Sequence, residues 1–176
     1  MNRVMVSAVD LPAPEWVKPL RSYALKVLAC LGRDKWDLSV LLCGDQTIAS
    51  LNSRYRGKAG ATDVLSFALD EGEQFPSGTG RGRRLPGDIV ISLDALRENA
   101  RRFNVAEDEE LRRLLIHGIL HLDGMDHVDG MDHVDDMDHA DGMDHCGNGE
   151  NEPMLQLQEK ILTNLADECI LDESKA

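Results

Sequence analysis

The chain of 176 residues lacks the long apolar segments that a membrane protein needs. It contains no run of about 18 apolar residues, so a transmembrane helix is not expected. Its first residues also lack the extended apolar core of a secretory signal peptide. We therefore expect a cytoplasmic protein with no membrane partner. The length suits one hydrophobic core, and we predict a single domain over residues 1–176.

Several motifs of common enzyme classes are also missing. No glycine-rich phosphate-binding loop occurs, so we expect no nucleotide cofactor. No arrangement of Ser, His and Asp indicates a serine hydrolase. The four cysteines form no C-x-x-C pair. In a cytosolic chain, Cys30 and Cys43 are expected to be buried reduced thiols because they stand in apolar surroundings.

Positive charge is absent from residues 122–152, which contain eleven acidic residues and no Lys or Arg. The formal net charge of the chain is −13, yet the residues outside this segment include 21 acidic and 19 basic side chains. The excess acidity is therefore local. Solvated surface charge is the simpler interpretation of the basic runs elsewhere, but a face that contacts RNA is compatible with this distribution.

Hydrophobic periodicity predicts an α/β (α+β) fold with a small mixed sheet covered by helices. Apolar or β-branched runs predict strands at 3–9, 36–43, 62–69 and 87–93. Helical spacing predicts helices at about 16–31, 46–55, 94–103, 107–122 and 153–170. Glycine, proline and charged residues predict a surface loop over 70–86.

Two details of these helices are specific enough to check. Asp45 is a suitable N-cap for the second helix, and Ile48, Leu51 and Tyr55 would share its inward face. Either Ser92 or Asp94 would cap the third helix.

The richest pattern is H-x-x-x-H-x-x-G-x-x-H, formed by His117, His121 and His127. The first two lie one turn apart on one face of the helix over 107–122. Gly124 can adopt positive φ and end that helix, so that the chain turns back towards the pair. Three imidazoles leave one tetrahedral position open, as in a catalytic zinc site. A zinc protease also needs Glu after the first His, and Gly118 stands there, which argues against that activity.

His117-Gly-Ile-Leu-His-Leu-Asp-Gly-Met-Asp-His127 resembles the signature of the YbeY family of bacterial endoribonucleases, with Met125 at an otherwise aromatic position. Further blocks resemble the family in the same order over residues 36–165. They are Leu51-Asn-Ser-Arg-Tyr-Arg-Gly-Lys, Thr62-Asp-Val-Leu-Ser-Phe, Gly87-Asp-Ile-Val-Ile-Ser and Met154-Leu-Gln-Leu-Gln-Glu-Lys-Ile-Leu.

The resemblance implies one zinc ion bound by His117, His121 and His127. It also implies zinc-dependent cleavage of single-stranded RNA, with roles in 3′-end processing of small-subunit rRNA and in ribosome quality control. The expected partners are rRNA and the small ribosomal subunit. His117 and His121 would be catalytic through the metal, and Arg56 would hold the scissile phosphate. From the residues alone, Arg56 fits a surface salt bridge equally well.

Five further side chains have weaker assignments. Asp123 or Asp126 could orient a ligand histidine or accept a proton, and we favour orientation. Thr62, Asp63 and Ser66 could border the cleft, although a role as strand-edge residues is the simpler interpretation.

A six-residue block recurs four times from Gly124 to Gly147, and the family pattern needs it only once. We interpret residues 128–147 as an acidic His/Met/Asp insert. His127 is preferred as third ligand because it follows His121 most closely, but His133, His139 and His145 are alternatives. The insert is either a tolerated surface expansion or a metal-collecting segment. The alternative function is a non-enzymatic, ribosome-associated metal-binding factor that buffers metal through this repeat. A hydrolase of another ester or amide is a further alternative.

Overall fold

A computed structural model of the chain describes residues 1–69, 84–125 and 153–171. Within these ranges it contains four strands and five helices. In chain order they are β1 (Arg3–Ala8), α1 (Val17–Cys30), β2 (Trp36–Cys43), α2 (Asp45–Arg56), β3 (Val64–Ala68), β4 (Arg84–Ser92), α3 (Leu93–Phe103), α4 (Glu107–Leu122) and α5 (Pro153–Asn164).

The strands form one mixed sheet in the order β1-β2-β4-β3. β1, β2 and β4 run parallel, and β3 runs antiparallel to β4. The predicted α+β fold with a small mixed sheet covered by helices is confirmed. Since β3 pairs with β4 alone among the described strands, it forms one edge of the sheet, and β1 forms the other.

The two faces of the sheet are covered unequally. The larger core lies between one face and α1, α4 and α5, and it includes Val40 of β2 and Ile89 of β4, both fully buried. The smaller core lies under α2 on the other face and contains Ile48, Leu65 and Val90. Because side chains alternate along a strand, β2, β3 and β4 each supply residues to both cores.

Most predicted boundaries agree with the structure, but two differ. β4 begins at Arg84, inside the predicted loop, because the Arg84 amide donates to the Lys35 carbonyl and its guanidinium lies over the Trp36 ring. α5 ends at Asn164, six residues before the predicted end. The chain leaves the helix there and runs to α4, where the Asp108 carboxylate accepts from the Ile170 and Leu171 amides at 2.6 and 2.7 Å.

The predicted start of α2 is also corrected. The N-cap is Gly44, and Asp45 is the first helical residue. The Asp94 carboxylate reaches across from α3 and accepts from the Asp45 amide at 3.1 Å, so the capping oxygen comes from another element. The cap of α3 is Ser92, whose hydroxyl accepts from the Ala95 amide at 3.2 Å.

Tyr55 does not join the interior as predicted. Its residue surface is 59% exposed, whereas Ile48 of the same helix is fully buried. The last turn of α2 runs beside β3, which is the edge of the sheet among the described strands, so none of those strands covers the ring. Among the described helices, none has the length and apolar character needed to cross a membrane.

Helix α4 approaches the sheet most closely at Gly118. A Cβ atom at this position would lie 2.9 Å from Cγ2 and 3.0 Å from Cδ1 of Ile89 on β4. Real Cβ atoms do not come so near to another carbon, and the Ile89 methyl is held in a close-packed core. The missing side chain at residue 118 therefore allows α4 to lie directly on the strand.

We expect Gly118→Ala to destabilise the fold by about 1 kcal/mol. Alanine raises helix propensity by about 1 kcal/mol, but overpacking of a core costs typically about 1–3 kcal/mol. Urea unfolding of wild type, Gly118→Ala, Ile89→Ala and the double variant measures the effect. In the Ile89→Ala background, Gly118→Ala should become neutral or stabilising. Equal destabilisation in both backgrounds would exclude the proposed collision.

Candidate metal and nucleic-acid site

His117 and His121 lie one turn apart on α4, as the sequence predicts. Their Nε2 atoms are 3.1 Å apart, and their ring centroids are 4.6 Å apart with the planes at 78°. Both residues are half-buried on α4, which packs against β3. This spacing fits a shared ion, because two imidazole nitrogens on one tetrahedral zinc are separated by roughly 3.3 Å.

A glutamine of α5 holds the first histidine in place. The side-chain oxygen of Gln158 lies 3.1 Å from His117 Nδ1, and Gln158 is only 2% exposed. A carbonyl oxygen accepts but cannot donate, so this contact favours the His117 tautomer with its proton on Nδ1. In that tautomer Nε2 has a lone pair, which is the form that a metal needs. Any proton that lies between the two Nε2 atoms would have to leave if a metal bound there.

Sequence reasoning missed Gln158, although the sequence contains a signal for it. Gln158 is four residues after Met154 and three before Ile161, and both of these are buried core residues of α5. A glutamine at the inward position of an amphipathic helix needs a polar partner in the interior. The identity of that partner depends on the packing of α5 against α4, which the sequence does not reveal.

Helix α4 ends as the glycine predicts. Gly124 has a φ of +85°, and its amide donates to the His121 carbonyl at 3.0 Å. The Met125 amide donates to the Leu120 carbonyl at 3.1 Å, which completes a Schellman motif. Met125 packs against the larger core. These hydrogen bonds and the packing of Met125 define the direction in which the chain leaves α4 after His121.

Asp123 lies in this turn, and its carboxylate is bound by Arg33. Arg33 Nε lies 2.6 Å from Asp123 Oδ1, and Nη2 lies 2.7 Å from Oδ2, so the contact is bidentate. The Asp123 side chain is 7% exposed. The described contacts thus tie Asp123 to the loop before β2, and its predicted role in orienting a ligand histidine stays a prediction. Sequence reasoning missed Arg33, since the two residues are 90 positions apart.

Arg56, the last residue of α2, reaches the edge strand β3. Its Nη2 donates to the Ser66 carbonyl of β3 at 2.9 Å. The Ser66 hydroxyl in turn donates to the Gly118 carbonyl of α4 at 3.3 Å. Two hydrogen-bonded steps therefore connect Arg56 to the residue that follows His117, and α2, β3 and α4 meet at this point.

The other two candidate cleft residues hold strand β3 in place. One Asp63 carboxylate oxygen accepts from the Val64 amide at 2.8 Å and from the Thr62 hydroxyl at 3.3 Å. The other accepts from the Asn99 side chain of α3 at 2.9 Å. These contacts agree with the simpler interpretation of Thr62 and Asp63 as strand-edge residues, while Ser66 lies at the site.

The remaining parts of the predicted site lie outside the described residues. These are His127, the alternatives His133, His139 and His145, the second predicted orienting residue Asp126, and the insert over 128–147. Within residues 1–69, 84–125 and 153–171, no third His, Cys, Asp or Glu joins the histidine pair in a metal-binding group. The assignment of the third ligand therefore stays a prediction.

The order of these residues along the chain can be compared with known families. The family model described as Endoribonuclease YbeY matches residues 10–139 of the chain. The chain belongs to the YbeY family. The matched range includes Arg56, the histidine pattern and the edge strand between them.

Individual YbeY relatives agree with this membership. The Endoribonuclease YbeY of Treponema pallidum is 42% identical over 162 residues, which cover 92% of this chain and 89% of the relative. That of Treponema denticola is 46% identical over 125 residues, covering 70% and 79% of the two chains. The solution structure of TM1509 from Thermotoga maritima matches with a TM-score of 0.54 at 24% identity, covering 95% of this chain and 91% of that one. This last similarity concerns the fold alone.

The packing of Gly118 explains why this YbeY site is not built like a zinc protease site. The position after the first histidine faces Ile89 at a distance that excludes even a methyl group. A Glu there could not act as a base, because its side chain would have to displace the core. The pair His117 and His121 therefore has no carboxylate after its first histidine, and Arg56 is connected to this part of α4 through Ser66.

We expect Gln158→Leu to change the protonation of His117. Loss of the acceptor removes the preference for the Nδ1–H form, and the buried Nδ1 loses its partner at a cost of about 1–3 kcal/mol. Nitrogen-15 NMR of the metal-free imidazole reports the tautomer, and urea unfolding reports the stability. Gln158→Glu keeps an acceptor and should retain Nδ1–H. The matched control is Gln156→Leu, at an exposed position of the same helix. An unchanged His117 tautomer in Gln158→Leu would show that another group sets it.

Proposed function

We propose that the chain is a zinc-dependent endoribonuclease that cleaves single-stranded RNA. Its substrate would be rRNA of the small ribosomal subunit, in maturation of the 3′ end and in ribosome quality control in the cytoplasm. Membership of the YbeY family supports an endoribonuclease role in rRNA maturation. The observation that carries the finer proposal is the His117–His121 pair, with Nε2 atoms 3.1 Å apart, beside Arg56 at the open edge of the sheet.

The metal would be held by Nε2 of His117 and His121, with His127 as the proposed third ligand. Zinc, when bound, supplies Lewis-acid chemistry for the hydrolysis of a phosphodiester bond. Gln158 keeps the His117 proton on Nδ1, so that Nε2 is available. The bidentate Arg33–Asp123 contact and the Schellman motif direct the chain after His121.

Arg56 would bind the scissile phosphate. A guanidinium has five N–H donors in a planar fork, and two of them match two phosphate oxygens. The bond from Nη2 to the Ser66 carbonyl uses one donor and orients the fork at the edge of β3. In this position the charge of Arg56 can offset negative charge that develops on the phosphate during cleavage.

We expect His121→Ala to abolish RNA cleavage and Arg56→Ala to reduce it strongly, for different reasons. His121→Ala removes a ligand, so both bound zinc and cleavage should be lost. Arg56→Ala should retain zinc while turnover of a single-stranded RNA falls about 100- to 1000-fold, the usual cost of losing a charge-stabilising donor. Elemental analysis of the purified proteins, together with cleavage assays on the same samples, measures both quantities.

The matched control for Arg56 is Arg101→Ala, which removes an exposed arginine of α3 that pairs with Glu98. It should leave both zinc content and turnover unchanged. Full metal-dependent cleavage by His121→Ala would refute the site. Zinc binding by the wild type without any RNA cleavage would favour the alternative, a non-enzymatic metal-binding factor.

Deletion of residues 128–145 tests the assignment of His127. We expect the shortened protein to keep one tightly bound zinc and full cleavage, because His127 stays in sequence register with His117 and His121. Loss of that zinc would assign the third ligand to His133, His139 or His145. Titration of both proteins with zinc also tests the repeat, since a metal-collecting segment predicts additional weaker sites in the full-length chain only.

A further inference from the structure

Beside Arg56 lies an exposed aromatic side chain that the proposed chemistry does not use. Tyr55 is 59% exposed, the most exposed aromatic residue among those of the described chain. Its ring meets Phe67 of β3 edge to face, with centroids 5.4 Å apart and planes at 69°. This contact with Phe67 restricts the rotamers of the exposed Tyr55 ring.

Tyr55 and the histidines lie on opposite sides of the edge strand. Ser66 faces α4, as its bond to the Gly118 carbonyl shows, and Phe67 as the next residue faces the smaller core under α2. Arg56 donates to the Ser66 carbonyl between the two sides. A strand of RNA held by Arg56 at this edge therefore has the metal site on one side of β3 and the Tyr55 ring on the other.

The charges around Tyr55 favour a polyanion. The Arg54 guanidinium lies 5.3 Å from the centre of the Tyr55 ring, and Arg56 and Lys58 are also exposed. Among the described residues, Asp88 brings an exposed carboxylate near this ring, because it stands opposite Phe67 in the register of β3 and β4. The segment over 54–58 itself carries three cationic side chains and no carboxylate, in a chain whose net charge is −13.

We propose that Tyr55, supported by Phe67, is the platform on which one base of a single-stranded RNA stacks next to the phosphate held by Arg56. The inference rests on the proposed function and specifies how that site takes single strands. Every base has an aromatic face, so stacking on this ring does not depend on the identity of the base. It distinguishes single-stranded RNA from base-paired RNA. In a duplex the bases are already stacked and paired, and Tyr55 can reach none of them.

The test measures binding of single-stranded oligoribonucleotides in the His121→Ala background, so that the strand is not consumed. Tyr55→Ala should weaken binding by about 5- to 150-fold, the usual effect of losing one stacked base. Tyr55→Phe keeps the ring and should bind as wild type, whereas Tyr55→Leu keeps apolar bulk and should bind weakly. Met5→Ala is the matched control, since Met5 is 66% exposed on β1, at the opposite edge of the sheet.

A series of oligonucleotides, each with one base replaced by an abasic sugar, identifies the stacked nucleotide. When Tyr55 is present, removal of the base at one position should weaken binding by the same factor as Tyr55→Ala does. When Tyr55 is replaced by alanine, removal of that same base should have no further effect, because the two changes remove the same contact. Binding of fully base-paired RNA should be unchanged by Tyr55→Ala.

Activity assays with Tyr55→Ala alone give an independent readout. KM for single-stranded RNA should rise while kcat at saturating RNA is retained, since the ring is not in contact with the reacting atoms. If the wild type neither binds nor cleaves RNA, the proposed function itself fails. If it does both and Tyr55→Ala changes neither, only the platform is wrong. A change in oligomeric state without a change in RNA binding would assign Tyr55 to a contact between copies of the chain.

Discussion

The contact between Gly118 and Ile89 determines where the rest of the site can be. Because residue 118 has no side chain, α4 lies directly against β4, and the Gly118 carbonyl comes within 3.3 Å of the Ser66 hydroxyl on the next strand. That approach places the histidine on the preceding position beside the edge of the sheet. It also allows Arg56 to reach the same edge from the other side. A larger residue at 118 would move α4 away and separate His117 and His121 from the arginine.

The site is supported by contacts between elements that are distant in sequence. Gln158 of α5 fixes His117, and Arg33 of the loop before β2 holds Asp123 just beyond His121. An ion pair between Arg113 and Glu159 adds a second link between α4 and α5. A metal site gains from such support because ligands that are already oriented lose less freedom when the ion binds. The close spacing of the two histidines, in contrast, follows from their positions one turn apart on α4.

Sequence reasoning predicted the features that depend on local spacing. Hydrophobic periodicity predicts the extent of β2 and α4, and the helical repeat predicts the close approach of His117 and His121. The conformational freedom of glycine predicts the positive φ at Gly124. The structure agrees with all of these. The YbeY resemblance is likewise confirmed. The features that were missed depend on packing between elements. One sequence does not reveal the order of the strands, nor the contacts of Gln158 with His117 and of Arg33 with Asp123. The prediction that Tyr55 faces the interior is wrong because helical periodicity does not show that the described sheet has its edge beside this residue. His127 and the repeat lie beyond the described residues.

The way α4 ends also explains how this chain can carry additional residues before α5. The Schellman motif closes α4 with its own main-chain bonds, and α5 begins again at Pro153, already in contact with α4 through Gln158 and Glu159. The 27 residues over 126–152 thus join two ends that the fold holds together without them. Lengthening the connection between two fixed ends from about nine to 27 residues costs about 1 kcal/mol in closure entropy, since that cost grows only with the logarithm of length. A repeat can therefore expand at this point at a small cost in stability, and the added residues need no role of their own to be retained.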